Sequence, residues 1–208
     1  MRNTFKFKAM LRIAGIIALA AIIGFGFAAC GDDGGGGYTF DPSLGSKNIG
    51  KKGPAGGIIF YYNASGFNVT GAGSFDAYYL EAAPTNQATS ITWSSTYVNV
   101  TGIGTGIGRG KANTAAIIAA HPSDTASNNA AKAAVAYTGG DKNDWFLPSK
   151  DELEEMYKAR THLGISSGNF WSSSQSSGNS AWVHGFTGGV QSNENTAHHC
   201  YVRAVRAF

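Results

Sequence analysis

The residue types able to do chemistry gather toward the C-terminal end of this chain. His198-His199-Cys200 stand in a row, and imidazole or thiolate groups there could ligate a soft metal. Adjacent strand residues point to opposite faces, so at most two of the three converge without a turn. A site would also need His184 or His162, and no metal-ligand spacing is present. No metal and no cofactor is therefore expected. Cys200 has nothing local to activate it and reads as a single thiol on a variable surface. No Gly-x-Ser-x-Gly elbow marks a nucleophilic serine. Asp151, Glu152, Glu154 and Glu155 read as the solvated first half of a helix rather than an acid/base pair. Arg203 and Arg206 lie in an apolar terminal stretch; buried guanidiniums need carboxylates, and Asp144, Glu81 and Glu152 are the candidates. These arginines read as structural. The expectation is a protein that is not an enzyme.

Phosphate chemistry fails a strict check too. Glycines at 102, 104, 106, 108 and 110 match neither G-x-G-x-x-G nor the P-loop, because Ala112 follows Gly110-Lys111. They read as a structural loop.

What remains is recognition. Between Asn169 and Phe208, aromatic posts punctuate small polar residues: Phe170, Trp171, Trp182, Phe186, Tyr201 and Phe208. Trp145, Trp171, Trp182, Phe186, Tyr201, Arg203 and Arg206 read as scaffold. Ser176, Asn179, Ser180, His184, Thr187, Ser192, Asn193, Asn195, His198, His199 and Cys200 read as a ligand-binding face between about residues 173 and 200. Alternation groups His184 with Trp182 and Phe186, which could draw it inward.

The elements that must position these groups can be read from local pattern. Gly57 to Tyr62 is an apolar run that stops at Asn63, and Tyr78 to Ala82 and Ile91 to Trp93 are further strands. Lys111 to Ala120 and Asn128 to Tyr137 are alanine-rich helices. Ser149-x-x-Glu152 is a capping box opening a helix over Lys150 to Arg160, with Leu153, Met156 and Tyr157 on one face. Short strands follow up to a terminal strand, Tyr201 to Phe208. Helices between two groups of strands predict an α+β domain.

The N-terminal end speaks about location. Arg2, Lys6, Lys8 and Arg12 precede an uncharged apolar run from Ile13 to Phe27, then Ala28-Ala29-Cys30. This resembles a signal peptide over 1–29 with a lipobox, in which Cys30 is acylated; an uncleaved signal anchor is the alternative. Residues 30–48 read as the lipidated cysteine and a flexible Gly-rich tether. The whole chain carries 16 basic and 13 acidic residues. Four of the basics lie in the signal, leaving 12 against 13 and a net of −1, so no basic patch speaks for nucleic acid. With Cys30 acylated, Cys200 has no partner and no disulfide framework exists. Packing must stabilise the fold, and 25 Trp, Tyr and Phe residues supply the material.

Asp144-Trp145-Phe146-Leu147-Pro148-Ser149 running into Asp151-Glu152-Leu153, then Phe170-Trp171-Ser172-Ser173-Ser174, Ala181-Trp182, Phe186 and Tyr201-Val202-Arg203-Ala204-Val205-Arg206 form a combination. Together with Gly56 to Tyr61, Gly104-Thr105-Gly106 and Asn113-Thr114, it resembles the DUF1566 family, which includes the C-terminal domain of Legionella collagen-like adhesins. The resemblance covers about 49–208. It implies a C-type lectin-like fold of the formylglycine-generating-enzyme type, with short antiparallel strands and about three helices. It also implies a C-terminal region like those diversified by retroelements that mutate adenines. The residues at the candidate variable positions are reachable from an AAC codon at its first two bases, whereas Trp171, Trp182, Gln191 and Glu194 are not. The copper-binding cysteine pair of formylglycine-generating enzymes is lacking, since only Cys30 and Cys200 are present.

The expectation is an exported, lipid-anchored monomer at the outer membrane or cell surface, binding a protein or glycan ligand through its C-terminal face. An envelope enzyme on the same fold, or a structural envelope lipoprotein, are the alternatives.

Overall fold

The computed structural model describes residues 39–208. The expected signal peptide, Cys30 and the glycines of the expected tether lie outside the described residues. Eight strands and three α-helices follow a 3-10 helix, Pro42–Asn48. A three-stranded sheet has the order β1 (Ile58–Val69), β2 (Phe75–Ala82), β8 (Val205–Ala207). A five-stranded sheet has the order β3 (Ala88–Ile91), β7 (Cys200–Val202), β4 (Asn169–Ser177), β5 (Ser180–Gly185), β6 (Val190–Asn195). Helices α1 (Gly110–Ala120), α2 (Ala130–Val135) and α3 (Lys150–Lys158) fall between β3 and β4. The domain is α+β, as expected.

Several boundaries move. The terminal strand expected over Tyr201 to Phe208 is broken at Arg203-Ala204 into β7 and β8, which belong to different sheets. Long-range pairing decides this: Cys200 pairs with Ile91, while Arg206 pairs with Glu81. The strands are not all antiparallel, because β4 and β7 run parallel at Phe170 and Tyr201. Nor does β1 stop at Asn63. Its register jumps from Tyr62↔Tyr79 to Phe67↔Ala77, and Gly66 takes φ 72 within the irregular stretch. The 3-10 helix falls within residues 30–48, the stretch expected as lipidated cysteine and tether. Asn48 is buried and hydrogen-bonds both the Asp41 carbonyl and the Tyr79 hydroxyl, so the 3-10 helix belongs to the domain.

Strand alternation gives the five-stranded sheet two buried faces. Trp171, Val183 and Val202 point into one cluster with Ile91, Trp93 and the alanines of α2. Phe170 and Phe186 point into another with Phe60, Leu80, Phe146, Leu153 and Met156. Each fully buried large side chain contributes roughly 1.5–3 kcal/mol, which offsets much of the cost of ordering the chain around it. α3 begins with the expected capping box: Glu152 N–H donates to Ser149 Oγ at 3.3 Å, and Ser149 N–H to Glu152 Oε2 at 2.7 Å.

Candidate recognition face

Three indole N–H groups fix the ground on which the surface is built. Trp93 Nε1 donates to Ser172 O at 2.8 Å and Trp171 Nε1 to Ile91 O at 2.9 Å, lacing β3 to β4. Trp145 Nε1 donates to Gly139 O at 3.1 Å. All three rings are buried. Phe186 is buried as well. Trp182 and Tyr201 are only half-buried; Lys150 Nζ lies 3.7 Å from the centroid of the Trp182 ring, and Tyr201 stacks on Phe170 at 5.2 Å.

The loop 94–100 lies along the β4–β5 hairpin. Gln175 grips it twice, with Nε2 donating to Val98 O at 2.6 Å and Oε1 accepting from Val100 N at 2.8 Å. Thr196 N–H donates to Asn179 O at 2.9 Å, and Tyr97 Oη donates to Asn195 Oδ1 at 3.3 Å. The base of the loop is braced from behind. Ser95 donates to Asp124 through its backbone and hydroxyl, Asn129 Nδ2 donates to the same carboxylate, and His121 Nε2 meets Thr96 O at 3.3 Å. Burial pushes the Asp124 carboxyl up, yet the Ser95 and Asn129 hydrogen bonds outweigh it and hold the group below its usual range.

The resulting surface has an aromatic ring among polar groups. Tyr97 is 62% exposed. Its partner Asn195 ends β6, His198 follows in the turn with its N–H donating to Asn195 O, and Ser176 and Asn179 belong to the β4–β5 hairpin. Asn179 Oδ1 accepts from Ser177 and Ser180 hydroxyls, which sets the hairpin tip. His198 Nδ1 meets Glu194 Oε2 at 2.9 Å, with the ring exposed. Ser192 and Asn193 lie on β6, the edge of the sheet, and His199 Nδ1 meets Ser90 Oγ at 3.1 Å beside β3.

Not every residue expected here arrives. His184 is fully buried: it stacks on Tyr157 at 4.4 Å, and its Nε2 meets Glu154 Oε2 at 2.9 Å. Period-two alternation puts it with Trp182 and Phe186 on the face that α3 covers. Its Nδ1 has no partner among the described residues. Cys200 is 4% exposed and packed in the tryptophan cluster, so it is not a surface thiol. Burial, helped by Glu194, pushes that thiol up to about 12, the opposite of an activated nucleophile. Thr187 is exposed but sits in the β5–β6 connection, at the other end of β5 from Ser180. Ser173, at the start of the expected face, is buried with Ser172 and Ser174. They bind Asn113, Trp182 O and Gly104 O instead of solvent.

The charged candidates also resolve. Arg206 pairs with Asp144 Oδ1 at 2.6 Å and Glu81 Oε1 at 3.1 Å. Arg203 is buried with no carboxylate partner among the described residues; it donates to Asn86 Oδ1 and Ala83 O, both at 2.7 Å, and burial lowers it to about 10. Glu152 is not solvated. Its Oε1 accepts from Gly108 N at 2.8 Å and Gly110 N at 3.4 Å, binding the glycine loop and the start of α1 to α3. Among the described residues, no group of three or more His, Cys, Asp or Glu side chains is placed to hold a metal ion.

Sequence reasoning missed Tyr97, Gln175 and the loop 94–100. A tyrosine following the polar run Ser94-Ser95-Thr96 was the available signal, since such a run gives the ring little local reason to be buried.

The molecule is thus an α+β module in which loops and hairpin tips project from a tryptophan-laced sheet. The family model for the Lcl C-terminal domain matches residues 82–206, more than half of the chain, and the chain belongs to that family. The match takes in the loop 94–100, all three α-helices and the C-terminal strands, and leaves β1 and most of β2 outside it. No curated protein matches the chain.

Proposed function

We propose that this chain is a lipid-anchored surface protein that binds a protein or glycan ligand, without chemistry on it, through the face formed by 94–100, 176–180 and 193–199. The observation that carries this reading is Tyr97, largely exposed yet held by Asn195, with its loop clamped by Gln175 and Asp124. A rigid amphipathic ring among Ser, Asn and His side chains is the composition of adaptable recognition surfaces. The lipobox-like Phe27-Ala28-Ala29-Cys30 supports the anchor, and export would place the domain at the outer membrane or cell surface. The residue types at Ser176, Asn179, Asn193, Asn195, His198 and their neighbours, all reachable from an AAC codon at its first two bases, support diversification by a retroelement on a C-type lectin-like scaffold. A genomic neighbourhood with no template repeat differing at adenines would remove that part of the proposal.

The test is binding of the full chain to protein and glycan arrays, beside Tyr97→Ala and His198→Ala. Truncating Tyr97 should weaken capture by about tenfold or more while leaving the melting temperature within a degree or two, since an exposed ring contributes little to the core. Capture that survives both substitutions would overturn this face as the site. Protease treatment of intact cells tests its display: a domain that stays protected is not on the surface.

A further inference from the structure

A concave aromatic site lies on the three-stranded sheet, built by other elements than the recognition face and independent of it. Phe40, Pro42, Tyr62, Tyr78, Tyr79 and Phe208 line a solvent-open cleft of about 370 Å³, within the ~300–1,000 Å³ range of small-molecule sites. Its rings are locked against one another. Tyr79 stacks on Phe208 at 5.4 Å, Phe40 stands edge-on to both at 5.2 Å, and Tyr62 leans on Tyr79 at 4.8 Å. Tyr79 is pinned further: its hydroxyl donates to Pro42 O at 3.1 Å and accepts from Asn48 Nδ2 at 3.3 Å. The hydroxyls of Tyr62 and Tyr78, by contrast, are engaged by no described residue. Tyr78 is 48% exposed, and no charged side chain lines the cleft among the described residues.

We propose that this cleft binds a neutral saccharide, one pyranose ring seated on the aromatic wall. Aromatic faces carry partial negative charge, which suits the polarised C–H groups of a sugar's apolar face. Phenol hydroxyls at the rim both donate and accept, matching ring hydroxyls. Lining side chains that carry no charge offer no ion pair to a sulfate, carboxylate or phosphate, and an alkyl chain would leave both phenols without a bound partner. Because the rings are already packed, little side-chain freedom is lost on binding.

The test is saturation-transfer NMR and calorimetry on the full chain, held in a detergent without a sugar head group. Cellobiose and maltose serve as neutral probes, a sulfated disaccharide as the charged probe and hexanol as the apolar one. Transfer to the C–H protons of a neutral disaccharide is expected. Tyr78→Ala should weaken its binding by about tenfold or more, the scale of losing one stacked ring, and Tyr78→Phe by less. Tyr97→Ala should leave it unchanged. Circular dichroism on Tyr78→Ala checks that the half-exposed ring was removed without unfolding. No neutral-sugar binding, tighter binding of hexanol or of the sulfated probe, or indifference to Tyr78→Ala each overturns the proposal. Sugar binding abolished by Tyr97→Ala alone would assign the sugar to the recognition face and sink the cleft.

Discussion

Glu152 joins three segments through one carboxyl: the cap of α3, the glycine loop and the start of α1. Burial dominates its titration and pushes it up to about 7, against the pull of the Ser149, Gly108 and Gly110 N–H groups. The folded state therefore holds this proton more tightly than the unfolded chain. Its contribution is complete below the ordinary value near 4.5 and is lost as pH rises through about 7. Two to three pKa steps correspond to about 3 kcal/mol. Urea unfolding of the native chain should show stability falling between pH 4.5 and 7.5. In Glu152→Gln that slope should flatten, although a carboxamide N–H opposed to these donors will lower stability throughout. The buried Glu81 is raised as well, also by desolvation, and leaves a residual slope of the same sign. Gly108 shows how close this packing is. It adopts φ +85, and an added Cβ would overlap the backbone oxygen of Asn68. Gly108→Ala should cost several kcal/mol, read as a fall in melting temperature of more than about 10 °C.

At the level of elements, the recognition face depends on a loop with no regular structure of its own. The loop 94–100 is held to β4 by the two hydrogen bonds of Gln175 and to the segment before α2 by Asp124. Gln175→Ala should change global stability by only about 1–2 kcal/mol. Hydrogen exchange at the Val100 amide should nevertheless accelerate by about tenfold or more, because that N–H loses its acceptor. Unchanged exchange there would mean that the hairpin does not position the loop. The capping box was legible from spacing alone, because Ser149 and Glu152 are three residues apart and their reciprocal bonds are local. Glu152's second role was not: its partners Gly108 and Gly110 lie more than 40 residues away, and nothing in an i, i+3 pattern announces them.

At the scale of the whole molecule, the C-terminal segment ties the domain together by leaving one sheet and entering the other within a few residues. Its last ring, Phe208, closes on Phe40 and Tyr79, so the segment ahead of β1 is part of the same packing. A chain begun at Ile49 loses Phe40, the 3-10 helix and Asn48, whose side chain donates to Tyr79. It should melt at least about 5 °C below the chain that keeps them, with the loss of one aromatic ring and a buried hydrogen bond.

Composition and local pattern determined the α+β class, the three helices, the cap of α3 and the burial of Trp145, Trp171 and Phe186. Large apolar rings and short-range spacing have few other ways to be satisfied. The face to which each polar residue turns was decided only in three dimensions. His184 and Ser172-Ser173-Ser174 resemble Asn179 and His198 in composition, yet the first group is buried under α3 and against the glycine loop. A polar side chain goes wherever partners satisfy it, and those partners come from segments that only the folded chain brings near.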